Sequence, residues 1–156
     1  MKLKLINVCH SREVFYREAV QVYSAKINHF VPFQLDSVKP QALARNQAQA
    51  KIEAESAQIL KRLKPDDFVV LLDDQGKSFG SQEFARQVIR LVESGGSQVS
   101  WVVGGAFGVS DELKNRAKLK VSLSSLTMNH MVASVVLLEQ IYRALTIWKG
   151  IPYHNE

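Results

Sequence analysis

Three glycines crowd into Gly104-Gly105-Ala106-Phe107-Gly108, directly after the apolar run Gln98–Val103. Residues without a Cβ let a backbone turn tightly or lie close against a flat ligand. The spacing is not the Gly-x-Gly-x-x-Gly dinucleotide fingerprint, and no Walker lysine follows it. An acidic ribose ligand is also absent, which disfavours a nicotinamide dinucleotide enzyme. Read alone, the loop is a tight strand-to-helix turn. A second group capable of chemistry stands near the end of the chain. Arg143 lies in a strongly apolar helical pattern, where a guanidinium needs an anionic partner. Glu139, one turn earlier, has the i,i+4 spacing of an ion pair. Cys9 ends the first apolar run without an obvious base, which fits a buried structural thiol better than a nucleophile. The four histidines, His10, His29, His130 and His154, are too dispersed for a local metal motif, and no metal is expected.

Alternating strands and helices must position these residues. Lys2–Val8 reads as a strand. Ser11 is placed to cap a helix over Arg12–Asn28, with Val14, Ala19, Val22 and Ala25 or Lys26 inward. A short strand over Phe33–Val38 precedes a long polar helix, about Gln41–Leu63, that ends before Pro65. Phe68–Asp73 is a strand buried on both faces, and Asp74–Lys77 a turn. A helix over Ser81–Glu93 stops at the small polar stretch after it, and Gln98–Val103 is a second buried strand. Ser110 caps a short helix over Asp111–Arg116, Leu119–Leu123 is the last strand, and Ser124–Asn129 leads into a helix over His130–Trp148. The pattern predicts an α/β fold with a mainly parallel sheet and helices on both faces, in one domain spanning residues 1–156. Ligands of such sheets bind at the carboxyl ends of strands. Here three loops leave such ends: Leu72–Lys77, Gly104–Gly108 and Ser124–Asn129.

The last helix is apolar nearly all round, so it must be buried nearly all round. One side is expected to face the sheet and the other a second copy of the chain, in a twofold homodimer. Across 156 residues the net charge is +5, and one cysteine rules out a disulfide scaffold. The first 64 residues carry +6, the next 45 carry −3 and the remainder +2. That excess fits either a solvated helix face or a surface for a polyanion. No signal-peptide core or stretch of about 20 apolar residues is evident. The expectation is therefore a cytoplasmic protein with no membrane partner.

Several ordered segments together resemble a known family. They are Gly104-Gly-Ala-Phe-Gly108, Ser122-Leu-Ser-Ser-Leu-Thr-Met-Asn-His130, Leu138-Glu-Gln-Ile-Tyr-Arg-Ala144 and Gly150-Ile-Pro-Tyr-His154. Met1–Val8, Val69-Val-Leu-Leu-Asp73 and Gly76-Lys77 fit as well. End to end, the chain resembles the RlmH family of ribosomal RNA large-subunit methyltransferases, within the SPOUT superfamily. The resemblance implies a C-terminal trefoil knot, an obligate homodimer, S-adenosylmethionine as methyl donor, and methylation of N3 of a pseudouridine in 23S ribosomal RNA on the ribosome. It also implies a cofactor site at Leu72, Gly104, Gly105, Leu123, Ser124, Ser125, Leu126, Thr127 and Met128.

By the same resemblance Arg143, Tyr153 and His154 are the catalytic candidates. Arg143 is expected to stabilise an anion or phosphate, Tyr153 to stack on or position the base, and His154 to contact RNA or move a proton. A tail that only closes the dimer is the plainer alternative for Tyr153 and His154. The chain departs from the family pattern at Cys9-His10, where glycine is usual, and at Asn129, where proline is usual. Ser134 and Asn155 stand where the family carries basic residues. These losses raise an alternative, a non-catalytic RNA- or ribosome-binding factor on the same scaffold.

Overall fold

A computed structural model describes residues 1–94 and 96–155, with Arg45 placed by its backbone alone. In chain order the elements are β1 (Lys2–Val8), α1 (Val14–Asn28), β2 (Phe33–Val38), α2 (Ala48–Leu60), β3 (Phe68–Ser78), α3 (Ser81–Glu93), β4 (Gln98–Val103), α4 (Asp111–Arg116), β5 (Leu119–Ser122) and α5 (His130–Trp148). The five strands form one sheet in the order β2-β1-β4-β3-β5. Every neighbouring pair is parallel, so all the carboxyl ends lie along one edge.

The alternation of side chains along each strand builds two cores. Leu3, Leu5, Val70, Val99, Trp101 and Val103 face one way, against Ile27 of α1, Phe84 and Val88 of α3, and Leu137, Leu138, Ile141 and Leu145 of α5. Ile6, Val8, Val69, Leu71 and Val102 face the other way, against Ile59 of α2 and Leu113 of α4. Helices therefore cover both faces, as the apolar runs of β3 and β4 require.

Four local expectations change. Helix α1 begins at Val14, because the Ser11 Oγ accepts from the Glu13 backbone N–H before the helix starts and makes no cap bond. Its inner stripe is Tyr16, Val20, Tyr23 and Ile27, while Val14 and Val22 stay exposed. Helix α2 begins only at Ala48, since the Gln41 N–H is drawn instead to the buried Glu55 carboxylate at 2.9 Å. Strand β3 does not turn at Asp74. It runs on to Ser78 through a register shift between Leu72 and Lys77, and then pairs with β5 again. Gly76 sits in that shift, where a Cβ would stand 2.7 Å from the Lys120 and Val121 backbone.

Helix α5 lies on the sheet between α1 and α3. By length and composition it could cross a membrane, yet Leu137, Leu138, Ile141, Ala144 and Leu145 are buried in the core. Its own chain buries seven of its nineteen residues, and leaves Val132 exposed and the rest half-buried.

Candidate active site at the carboxyl edge of the sheet

Register sets two of the three predicted loops beside β3, while the third, Leu72–Lys77, is not a loop but part of β3. Leu71 pairs with Val102 on one side and with Lys120 on the other. Leu72, inside β3 and level with Val121 of β5, therefore stands beside Gly104, which follows β4, and Leu123, which follows β5, on three adjacent strands across a front of roughly 10 Å at ordinary strand spacing. Leu72, Leu123, Ser124 and Met128 are half-buried, and Ser125, Leu126 and Thr127 are exposed. Leu126 is 78% exposed, an apolar side chain with no cover of its own. The turn is fixed locally, by Ser124 Oγ accepting from the Leu126 N–H at 2.9 Å and Ser122 Oγ donating to the Ser124 carbonyl. Apolar side chains beside loop amides and carbonyls suit a flat heterocycle with polar edges.

The glycines are explained in part by the chain's own packing. A Cβ on Gly104 would stand 2.5 Å from Val109, and one on Gly105 would collide with the Glu55 carboxylate. Gly108 has φ 91°, and its N–H closes a turn onto the Gly105 carbonyl at 3.1 Å. Crowding at two positions and a left-handed backbone at the third both demand glycine.

Arg143, Tyr153 and His154 do come together. The Arg143 guanidinium donates to Glu139 at 2.5 Å and contacts His154 Nδ1 at 3.1 Å. It also lies 4.8 Å from the centre of the Tyr153 ring. The Tyr153 hydroxyl donates to the same Glu139 oxygen at 3.0 Å. Arginine only donates, so His154 Nδ1 accepts and Nε2 carries the proton of the neutral ring. The bond to Glu139 holds the Arg143 pKa above its usual range. Burial pushes the Tyr153 hydroxyl up to about 12, and the Glu139 bond and charge push the same way. At neutral pH Arg143 and Tyr153 are both protonated donors, sharing Glu139 as acceptor. The cluster stands 13 residues along α5 from His130, about 20 Å at helical rise, and so is remote from its own chain's loop front.

A buried polar network at the start of α5 had only faint sequence signals. Asn7 Nδ2 donates to the Tyr16 hydroxyl at 2.7 Å and to Ser134 Oγ at 3.1 Å. Ser37 Oγ donates to Asn7 Oδ1, and Ser134 Oγ to the His130 carbonyl. Ser134 is fully buried, so position 134 belongs to the interior in this chain and not to a substrate-facing surface. Cys9 joins the edge of this network, and burial pushes its thiol pKa up, which disarms it as a nucleophile. The signal available in the sequence was one amide, Asn7, inside an apolar strand. Asn129 caps α5, its Oδ1 accepting from the Val132 N–H at 2.9 Å. Among the described residues, no group of His, Cys, Asp and Glu is arranged to hold a metal ion.

An all-parallel sheet with helices on both faces defines an α/β protein of the class whose ligands bind at the carboxyl edge of the sheet. More narrowly, the chain belongs to the SPOUT methyltransferase family, whose profile, described as predicted SPOUT methyltransferase, matches residues 1–154. It is 43% identical over 155 residues to the Bdellovibrio bacteriovorus protein named ribosomal RNA large subunit methyltransferase H, covering 99% of both chains. It is 37% identical over 159 residues to the Streptococcus pneumoniae protein of that name, covering 99% of this chain and 100% of the relative.

Proposed function

We infer that the protein transfers a methyl group from S-adenosylmethionine to large-subunit ribosomal RNA, at N3 of a pseudouridine, working as a homodimer in the cytoplasm. The observation that carries this reading is the abreast arrangement of Leu72, Gly104 and the 123–128 loop, in a chain matched end to end by a ribosomal RNA methyltransferase. Family membership also supports a trefoil knot at the C-terminal end, a topology that no periodicity argument predicts.

When bound, S-adenosylmethionine supplies a methyl group already activated on a sulfonium. The work left to the protein is placement and charge stabilisation. Leu72, Leu123, Leu126 and Met128 would pack against the adenosyl group, and the amides and carbonyls of residues 104–105 and 123–128 would read its edges. Departure of the imide proton to water would leave negative charge on N3 and the adjacent ring oxygens, and formation of the N3–methyl bond, with the thioether leaving, would then discharge it. Arg143 is permanently charged, and His154 Nε2–H is a free-standing donor in the neutral ring, so both suit that developing charge. Tyr153, protonated to about 12, acts as a donor and stacking surface and not as a base.

The separation of about 20 Å along α5 means that one chain cannot bring its own tail to its own loops. A twofold dimer solves this by presenting the tail of one subunit to the loops of the other. Exposed Val14, Phe15 and Val22 on α1, Val132 on α5 and Ile151 in the tail supply apolar surface for that contact.

The test is methyl transfer from labelled S-adenosylmethionine to assembled ribosomes from cells lacking this protein, followed by mass mapping of nucleosides. One methylated pseudouridine is the expected result. A binding factor without catalysis would incorporate no label and would show no heat of S-adenosylmethionine binding by titration calorimetry.

A further inference from the structure

The glycine loop does more than close a turn. It carries Phe107, a residue 44% exposed beyond the carboxyl end of β4. A single exposed phenyl group is unremarkable in itself. Its backbone support is unusual, because the turn is clamped from both ends onto α2. At the entry, Gly105 lies against the buried Glu55 carboxylate so closely that no side chain fits. At the exit, the Ser110 N–H donates to the buried Ser56 Oγ at 2.8 Å. The Gly108 to Gly105 hydrogen bond closes the turn between those anchors. The ring is thus held outward on a fixed backbone.

A cation accompanies it. Lys51 of α2 places its Nζ 5.8 Å from the centre of the Phe107 ring. His130, first residue of α5, senses the charges of both Lys51 and Glu55, so α2, the glycine loop and the start of α5 converge here. Burial lowers the His130 pKa, and Lys51 pushes it the same way against Glu55. An aromatic face beside a lysine is the pairing with which proteins hold unpaired nucleotides: the ring stacks on a base and the cation meets a phosphate. The position, three residues after Gly104, is beside the loop front where the methyl donor is proposed to sit.

We propose that Phe107 and Lys51 are substrate-positioning residues, with Phe107 stacking on an unpaired RNA base next to the acceptor nucleotide and Lys51 contacting the phosphate that links them. This rests on the reading of the chain as a ribosomal RNA methyltransferase. The turn is set by its glycines and its two anchors, so replacing the exposed ring leaves the fold intact.

The measurements are KM and kcat for assembled ribosomes, together with the calorimetric Kd for S-adenosylmethionine, in Phe107→Ala, Phe107→Leu, Phe107→Tyr and Lys51→Gln. Phe107→Ala and Phe107→Leu should raise KM roughly tenfold, which corresponds to about 1.4 kcal/mol at 25 °C. Phe107→Tyr should stay within about twofold of the wild type, since its ring stacks as well. Lys51→Gln should raise KM and flatten its dependence on salt by about one phosphate contact. The Kd for S-adenosylmethionine should not move in any of them. A wild-type KM in Phe107→Leu would show that bulk and not stacking matters, and would overturn the proposal. A Kd for S-adenosylmethionine that rises in step with KM would also overturn it, by making Phe107 part of the loop's structure. Absence of methyl transfer by the wild-type chain is a different failure, because it removes the enzymatic reading on which the proposal stands.

Discussion

Arg143 is held between a carboxylate and an imidazole, and that arrangement sets what each residue of the cluster can do. Because Glu139 takes hydrogen bonds from both Arg143 and Tyr153, the tail docks on α5 through one shared acceptor. Replacing His154 by alanine removes the Nε2–H donor but leaves this docking in place. Methyl transfer to ribosomes should fall about a hundredfold, the lower end of the ~10²–10³ range for loss of one charge-stabilising donor, with the S-adenosylmethionine Kd unchanged. Normal turnover would remove His154 from the mechanism. Tyr16 belongs to a different chemistry. Burial pushes its hydroxyl up to about 12, as it does that of Tyr153, against about 10 in an unfolded chain. The unfolded chain gives up these protons first as pH rises. Stability is therefore full below about pH 10 and is lost as pH climbs through about 12. Urea unfolding followed across that range should show the decline, and Tyr16→Phe should flatten it. The same substitution should lower stability near neutrality by about 1 kcal/mol, through the lost bond to Asn7.

At the scale of elements, what matters most is how α5 starts and how β3 meets β5. Asn129 has φ −67° and caps α5 through its side chain. Asn129→Ala should lower stability by about 1 kcal/mol. Proline at this position matches the observed φ and restricts the unfolded chain by an opposing ~0.4–1 kcal/mol, so Asn129→Pro should be the milder change in denaturant unfolding. The family's usual proline and this chain's asparagine are thus two solutions to one helix start. Gly76 is a sharper constraint. Its missing Cβ is where β5 backbone lies, and backbone cannot swing aside as a side chain can. Gly76→Ala should cost about 1–3 kcal/mol as an overpacking change. Gly80→Ala, where a Cβ meets nothing within 4 Å, is the matched control and should be near neutral.

At the scale of the molecule, the roughly 20 Å of helix between His130 and Arg143 is what makes the dimer a requirement of the proposed chemistry and not an accessory. A charge placed on the exposed apolar surface, as in Phe15→Glu with Val132→Glu, should give monomers by analytical ultracentrifugation and abolish methyl transfer. Mixed dimers provide a stricter measurement. A chain with His154→Ala, mixed and refolded with a chain whose loop front is blocked by Gly104→Val, should recover activity, because one of the two sites then combines an intact loop front with an intact tail. No recovery, with mixed dimers demonstrated, would place both halves of each site on a single chain.

Periodicity alone settled the parallel α/β layering, most strand limits and the two apolar runs through the sheet, because burial on both faces leaves no other reading of Phe68–Leu72 and Gln98–Val103. The Arg143–Glu139 pair was equally legible, since helical spacing fixes which side chains share a turn. Tertiary structure decided the rest, because each remaining point depends on a neighbour distant in sequence. Which stripe of α1 faces inward was chosen by the fit of Tyr16 against Asn7 and Ser134, where Val14 and Val22 offered an equally apolar alternative. The continuation of β3 past Asp74 was decided by a second pairing with β5, some 45 residues on, and the late start of α2 by Glu55 reaching back to Gln41. The clamp that turns Phe107 outward joins α2 to a loop about 50 residues later, through contacts that no local pattern of residues records.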